Sequence, residues 1–565
     1  MKVWAHIIRK AIRQLGYLGK EQVLGRKSLA RLLVVLGACA LAVGIAAGCG
    51  GSSGSGGSGS VNRPIQVTSS QDIPNTDPAL GYDTLSWPVE HAIFMTLITY
   101  NDTGKGFVPW AATSVPKPEN GGKKYVFTLH KGMKFTDGEP VDASAFKYEI
   151  ERILNPETKS PLAAFYTNIV GASDYQKNPN GDLKGVKVLS PTKIEFDLVE
   201  PVQTFLQTMA IPSASAVPRK AVEKAGPDFD NKPVGDGPME VQSFSRGSKM
   251  VLVKNPDYKN LSGNPQATEA KSNQIDITIG ISPQTEIQRV QAGTADYELE
   301  TAIPAAQYNQ VKNDPQWQSY IISAVGSNIW YFYGNMTQKP FDNPKVREAI
   351  KYLIDKQRIQ QVLAGEVAIT SQMLPPTMPG YDTSIKSENY YDPAKAKQLL
   401  KEAGYPNGFT IDFWDQNSSD EPKVDQVLQQ DFSQVGIKMN LHSVSFAEWI
   451  EKQESGKTQS GGGYWSQDFP DPSDFLDVLF NSKQIPANNQ SHYTGSDEEL
   501  AQALVEPDHQ KRMEMYQQIQ KDILASNAVV PVYNGKSIYF VNPKLKGAPI
   551  DPVFYQTYQT WYLTK

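Results

Sequence analysis

Asp468 is the residue whose type and surroundings most directly suggest chemistry in this chain. It lies in the stretch GYWSQDFPDPSDFLDVLF, residues 463–480. Asp471 and Pro472 have the form of a helix start: the carboxylate can accept from first-turn N–H groups, proline suits the first helical position, and Asp474 adds charge favoured by the macrodipole. Phe475, Leu476, Val478, Leu479 and Phe480 supply the apolar face of that helix. Asp468, three residues before the cap and among Gly463, Tyr464, Trp465 and Phe469, has no such local duty. Held beside Trp465 in a partly desolvated cleft, it would suit a cationic ligand group such as a free amine, through a charge-assisted hydrogen bond of roughly 1.5–3 kcal/mol and a cation–π contact. The competing reading is a surface acid in a loop.

Other chemistries have less support. The six histidines form no His-x-x-x-His pair, and Asp468, Asp471, Asp474 and Asp477 repeat every three residues rather than in the Asp-x-Asp-x-Asp-Gly pattern of a calcium loop, so neither a metal nor another cofactor is expected. No Gly-x-Ser-x-Gly nucleophile turn occurs. A hydrolase working through paired carboxylates such as Asp468 and Asp471 is the alternative from a different class, weakened because Asp471 already has a capping role.

The elements that must position Asp468 belong to a large globular chain. It has 565 residues, 39% of them hydrophobic, with 26 tyrosines and 9 tryptophans, enough for more than one domain. The net charge is −5, but residues 1–48 hold eight basic side chains and one acid, leaving 47 basic and 59 acidic side chains in the remainder. So negative a body argues against nucleic acid as a partner.

Both cysteines, Cys39 and Cys49, fall near the N-terminus, so the body has no disulfide and no thiol chemistry. Basic residues from Lys2 to Arg31 precede an uncharged run from Leu32 to Ala47, the pattern of an export signal over residues 1–48. The run is shorter than the roughly 20 residues of a spanning helix, although an uncleaved anchor is the other reading. Ala46-Ala47-Gly48-Cys49 resembles the bacterial lipobox, departing from it at Ala46, and implies lipid modification at Cys49. Leu36-Gly37-Ala38-Cys39 fits the letters better, but cleavage there leaves too short an apolar region. Residues 49–60 then form a lipidated cysteine and a Gly/Ser tether with a reach of about 18 Å.

From Val61 the body alternates strand and helix signals. RPIQVTSS, residues 63–70, is strand-like, and a helix is expected through Ala92, Phe94, Met95 and Leu97. Tyr125, Phe127 and Leu129 alternate as a half-buried strand, and Asp142 begins a helix whose Phe146, Ile150, Ile153 and Leu154 share a face. Asn343-Pro344 and Asp392-Pro393 start two more helices. Val424, Val427, Leu428, Phe432 and Val435 make a further stripe, and Ile437, Met439 and Leu441 a strand. Alternating elements over residues 340–450 indicate an α/β lobe.

FTLHKGMKFTDGEPVDASAFKYEIERIL from Phe127 resembles a segment of the extracellular solute-binding proteins, family 5, the peptide-binding proteins of bacterial ABC importers. Further blocks agree in the same order: PVGDGPMEVQSFSRGSKMVLVKNPDYKN from Pro233, IDITIGISPQTEIQRVQAGTADYEL from Ile275, NMTQKPFDNPKVREAIKYLIDKQRI from Asn335, QMLPPTMPGYD from Gln372, YDPAKAKQLLKEAGYPNGF from Tyr391, VGIKMNL from Val435 and the window around Asp468. The resemblance covers nearly everything from Val61 to Lys565.

It implies an α/β, two-lobed, periplasmic-binding-protein-like fold with an extra domain and a cleft between lobes. Mapped through the blocks, lobe I comprises residues 61–103, 231–325 and 531–565, its added domain 104–230, and lobe II 326–530. It implies a monomeric, non-enzymatic binding protein on the outer face of the cytoplasmic membrane, held by its lipid anchor, that closes over a peptide ligand and delivers it to an ABC permease. The segment matching Trp465-Ser466-Gln467-Asp468 is where peptide-binding members set an aspartate against the ligand's α-amino group, with the tryptophan beside it. Gly81-Tyr82-Asp83-Thr84 occupies the family's first ligand-facing loop, which makes Tyr82 and Thr84 ligand-binding candidates, although Tyr82 stands where an acid occurs in one well-known member. In Asn328–Tyr333 one set of alternating side chains, that of Tyr331 and Tyr333, is expected to face the cleft and the other to pack in the core. A family-5 protein for an oligosaccharide, an opine or a nickel complex is the alternative within the class; Asp468 favours an amine, and the absence of a histidine cluster disfavours nickel.

Overall fold

In the computed structural model, the structure describes residues 61, 63–299, 303, 305–417 and 420–565. The export signal, Cys49 and the Gly/Ser tether lie outside these residues. Among the described residues, no helix is long and apolar enough to cross a membrane.

The first lobe is built on a five-stranded sheet of β1 (Ile65–Ser69), β2 (Met239–Ser245), β3 (Lys249–Lys254), β4 (Gln274–Ile279) and β5 (Tyr297–Glu298), in the order β5-β1-β4-β3-β2. β1 runs parallel to both its neighbours, whereas β2, β3 and β4 form an antiparallel meander. Ile65, Val67, Met250, Leu252, Ile275 and Ile277 are buried on this sheet together with Tyr558 and Trp561 from the C-terminal segment. Helix α1 (Ser86–Ile93) packs beside them and is buried on all sides. It ends earlier than the run of apolar residues suggests. The Met95 N–H is taken by the buried Asp236 carboxylate at 2.7 Å, and Phe94 leaves the helix in extended conformation before the strand Ile98–Tyr100.

Inserted after this strand is a layer with its own core. Its three-stranded antiparallel sheet (residues 124–128, 193–197 and 186–190) lies against α2 (Ala143–Leu154). Asp142 caps α2 by accepting from the Ser144 N–H at 2.8 Å. Phe146, Ile150, Ile153 and Leu154 are buried against Tyr125, Phe127 and Leu129, as their spacing indicates.

The second large sheet has seven strands, β6 (Ile321–Val325), β7 (Asn328–Gly334), β8 (Val367–Ile369), β9 (Thr410–Gln416), β10 (Lys438–Val444), β11 (Ser460–Ser466) and β12 (Val529–Phe540), of which β6 and the end of β12 pack on the first lobe and the rest form the second. The order is β6-β12-β7-β11-β9-β10, with β8 also paired to β12. One face is covered by α3 (Pro344–Lys351), α4 (Pro393–Glu402) and α5 (Glu421–Ser433). The Asn343 and Asp392 side chains cap the first two by accepting from Lys345 and Lys395 N–H groups. The other face is covered by α6 (Ser473–Phe480) and α7 (His509–Ala525). A sheet covered on both faces reads as apolar on both alternating sets, and β7 does: Ile329, Tyr331 and Tyr333 pack towards α6 and α7, and Trp330 and Phe332 towards the opposite helices.

β12 is longer than any neighbour because it serves both lobes. Its first half pairs with β7 and β8, and its second half, Lys536–Phe540, with β6. Ile538 and Phe540 are buried with Ile287, Val290 and Val311 of the first lobe.

Candidate functional site

On the first-lobe side the site is a short loop, residues 81–84, fixed from below. Gly81 sits so close to the buried Glu90 that a Cβ there would lie 1.7 Å from its Oε1, so a larger residue would have to displace that carboxyl. The Trp87 indole donates to the Gly81 carbonyl at 3.1 Å. Asp83 closes the loop onto α1 by accepting from the Leu85 and Ser86 N–H groups at 2.9 and 2.8 Å and from the Ser86 hydroxyl at 2.6 Å. Tyr82, anchored on both sides, projects from this loop with its ring 6.0 Å from Trp87 and 6.1 Å from Phe165.

On the second-lobe side, β11 ends at Ser466 and the chain turns through Gln467 and Asp468 into α6. The turn is also held: the Gln467 N–H donates to the Ser327 carbonyl at 2.8 Å, its amide to the Pro552 carbonyl at 3.2 Å, and the Asp468 N–H to the Asp474 carboxylate at 2.8 Å. Asp474 therefore restrains the Asp468 backbone, a role invisible in its spacing. α6 itself begins at Ser473 with Pro472 at the cap position, and Asp471 accepts from the Ser473 N–H at 3.0 Å. Asp471 also receives a bidentate pair from the buried Arg512 at 2.6 and 2.7 Å.

The two sides meet. The Tyr82 hydroxyl donates to Asp468 Oδ1 at 2.7 Å across 386 residues of sequence, and Phe165 of the inserted layer meets Phe469 edge-on at 6.1 Å. Around this contact lies a pocket of about 170 Å³ lined by Tyr82, Asp83, Thr84, Trp87, Ser466, Gln467, Asp468, Val553 and Tyr555. Asp468 has no cation within ion-pair distance among the described residues. Burial pushes its carboxyl up to about 6, while the Tyr82 hydrogen bond pulls the other way. Burial, reinforced by the Asp468 charge, lifts the Asp474 carboxyl well above the carboxylate range. Burial and the same charge raise the Tyr82 hydroxyl, which therefore stays protonated and donating.

The structure thus brings together Asp468, Tyr82 and Thr84, and leaves three other expected residues apart. Tyr331 and Tyr333 do not face the cleft: both are buried between the sheet and α6–α7, with hydroxyls bonded to Gln490 at 3.3 Å and Thr458 at 3.1 Å. β7 is a central strand covered on both faces, so neither alternating set can reach an opening; only its first residue, Asn328, lines one. Trp465 is half-buried at the edge of the same α6–α7 core and does not line the Asp468 pocket, because alternation along β11 sends it to the face opposite Tyr464 and Ser466. Its indole N–H is buried with no partner among the described residues. Tyr555, Gln467 and Val553 line the pocket without having been singled out in the sequence, since nothing in their local pattern distinguishes them from packing residues. Among the described residues, no group of three or more His, Cys, Asp or Glu is placed to hold a metal ion.

Residues 106–487 match the family described as bacterial extracellular solute-binding proteins, family 5 Middle. The chain belongs to the family 5 solute-binding proteins. Among the relatives of this family 5 protein, the glutathione-binding protein GsiB of Salmonella paratyphi A is 29% identical over 502 residues, covering 87% of this chain and 92% of the relative. Heme-binding protein A of Haemophilus influenzae is 30% identical over 459 residues, 77% of this chain and 81% of the relative. Among solved structures, the clavulanic acid biosynthesis oligopeptide binding protein 2 superposes with a TM-score of 0.81 at 22% identity, over 89% of this chain and 96% of the other. The family 5 protein therefore has the two-lobed α/β fold of a binding protein of ABC importers, and its ligand has to be argued from the site.

Proposed function

We propose that this family 5 protein captures peptides by closing its lobes over them, with Asp468 holding the free α-amino group, and passes them to a membrane permease. The observation carrying this is a carboxylate in the inter-lobe pocket that has no cation of its own and meets a residue of the opposite lobe. A ligand ammonium would supply the missing charge to Asp468 beside the Tyr82 hydroxyl, so its arrival engages both sides of the pocket. Backbone N–H and C=O groups of the peptide would add affinity with little side-chain selectivity. The names of similar proteins, one binding glutathione and one oligopeptide, agree with a peptide; the heme-binding relative shows why the amine has to be tested directly.

The lobes are proposed to exchange at Gly326 and Gly535, near the boundaries expected at 325/326 and 530/531. In support, the Gly326 N–H donates to the Gly535 carbonyl at 2.7 Å, and the Gly535 N–H to the Asn328 side chain at 2.6 Å, where β12 leaves one core for the other. Lipid attachment at Cys49, the Gly/Ser tether and a monomeric state complete the reading of an anchored receptor. The carboxylate-pair hydrolase is disfavoured because Asp471 is engaged by Arg512 and by the Ser473 N–H.

Native mass spectrometry of the protein purified from cells tests the proposal. A ladder of co-purifying peptides is expected, lost in Asp468→Ala; an equally occupied Asp468→Ala protein would contradict the assignment of the anchor.

A further inference from the structure

Next to the Asp468 pocket lies a second chamber of about 340 Å³, which shares Thr84, Ser466 and Tyr555 with it as wall residues. Three carboxylates line it, Glu366, Asp420 and Glu421, and so do three tyrosines, Tyr464, Tyr533 and Tyr555. Glu366 is only 9% exposed, and its Oε1 has no hydrogen-bond partner among the described residues. Asp420 pairs with Lys423 at 2.7 Å, and Glu421 accepts from the Gln416 amide at 3.3 Å. Lys536 is the lysine that lines the chamber, and its Nζ donates to the Gly365 carbonyl at 2.8 Å. A nearly buried acid with an oxygen that has no donor among the described residues, beside two more acids and three tyrosines, is a setting that a cation would complete through ion pairing.

Resting on the peptide reading above, we propose that this chamber takes a basic side chain of the bound peptide, a lysine ammonium or an arginine guanidinium, so that the protein prefers peptides carrying a positive charge beyond their α-amino group. Glu366 and Asp420 are the specificity-determining residues, and the tyrosines shape the chamber around the alkyl stem and its charge. Burial, with the Asp420 charge adding to it, pushes the Glu366 carboxyl up to about 7 against the opposing pull of Lys423 and Lys312, neither of which is within ion-pair distance of it. Three acids line the chamber with Lys536, and Lys423 pairs with one of them, so a carboxylate-bearing side chain is the opposite case, and the two are separable.

Calorimetric titration of the protein with Ala-Ala-Ala, Arg-Ala-Ala, Ala-Arg-Ala, Ala-Ala-Arg and Ala-Glu-Ala decides between them. The tightest arginine peptide is expected to bind at least about tenfold more strongly than Ala-Ala-Ala, a ratio that falls below about threefold in Glu366→Gln and narrows in Asp420→Asn, a half-exposed site where folding is not at stake. Equal binding of Ala-Ala-Ala and all three arginine peptides overturns the inference and leaves the peptide reading intact, as does tightest binding of Ala-Glu-Ala. An arginine preference that persists unchanged in both variants overturns the assignment to this chamber. Failure of every peptide to bind overturns the peptide reading and this inference with it.

Discussion

Asp468 and Asp471 stand three residues apart at the same helix start, yet the structure treats them oppositely. Asp471 is buried with every oxygen engaged: Arg512 approaches it through two nitrogens at 2.6 and 2.7 Å, and the Ser473 N–H and hydroxyl complete its coordination at 3.0 and 2.6 Å. Asp468, in the same turn, has the Tyr82 hydroxyl and, among the described residues, no cation within ion-pair distance. A carboxylate matched by the fold is a structural part, whereas one left unmatched in a cleft retains a binding capacity that a ligand can use. Within the first lobe Arg152 likewise pairs with both Asp77 and Glu149, whereas Thr84 and Tyr82 line the pocket.

The contrast is broken most severely at the matched acid. Asp471→Ala leaves Arg512 charged and buried without its partner, and a loss of about 3–5 kcal/mol is expected in urea unfolding. Pairing it with Arg512→Met should recover much of that loss; a single variant as stable as the parent would remove the distinction. Asp468→Ala should do the reverse, lowering affinity for a free-amine peptide by about 1.5–3 kcal/mol in calorimetry while leaving urea stability unchanged or raised, because it removes a poorly solvated charge. pH sharpens the same point. With its carboxyl pushed up to about 6, Asp468 must be deprotonated to hold an ammonium, so affinity is expected to be flat above that value and to fall about tenfold per unit below it. An Asp468→Asn protein should show a weaker, shallower profile. The smallest effect belongs to Tyr82→Phe. Its hydroxyl pulls the Asp468 carboxyl downward, so removing it raises that carboxyl, shifts the pH threshold upward and weakens binding near neutrality by about 0.5–1.5 kcal/mol.

What was legible in the sequence was local. The caps at Asp142, Asn343 and Asp392, and the apolar stripes of α2 and α5, follow from spacing within a dozen residues, and the structure holds them. Asp468 stood out because its neighbours left it without a helical duty. What escaped depends on distant partners: the Tyr82–Asp468 contact joins positions 386 residues apart, and Arg512 reaches Asp471 from the last long helix. Tyr331 and Tyr333 misled because a strand in a doubly covered sheet places aromatic residues on both faces, and alternation alone cannot say which face, if either, meets an opening. Glu366 gave no signal at all, since its significance lies in a missing donor rather than in any motif.

The most direct test of the amine anchor is to titrate the parent and Asp468→Ala proteins with the same peptide in free and N-acetylated form. Acetylation should cost the parent at least about tenfold in affinity and the variant almost nothing, because only the parent has the carboxylate that reads the charge. An equal loss in both proteins would place the ligand's amino group elsewhere and contradict the account.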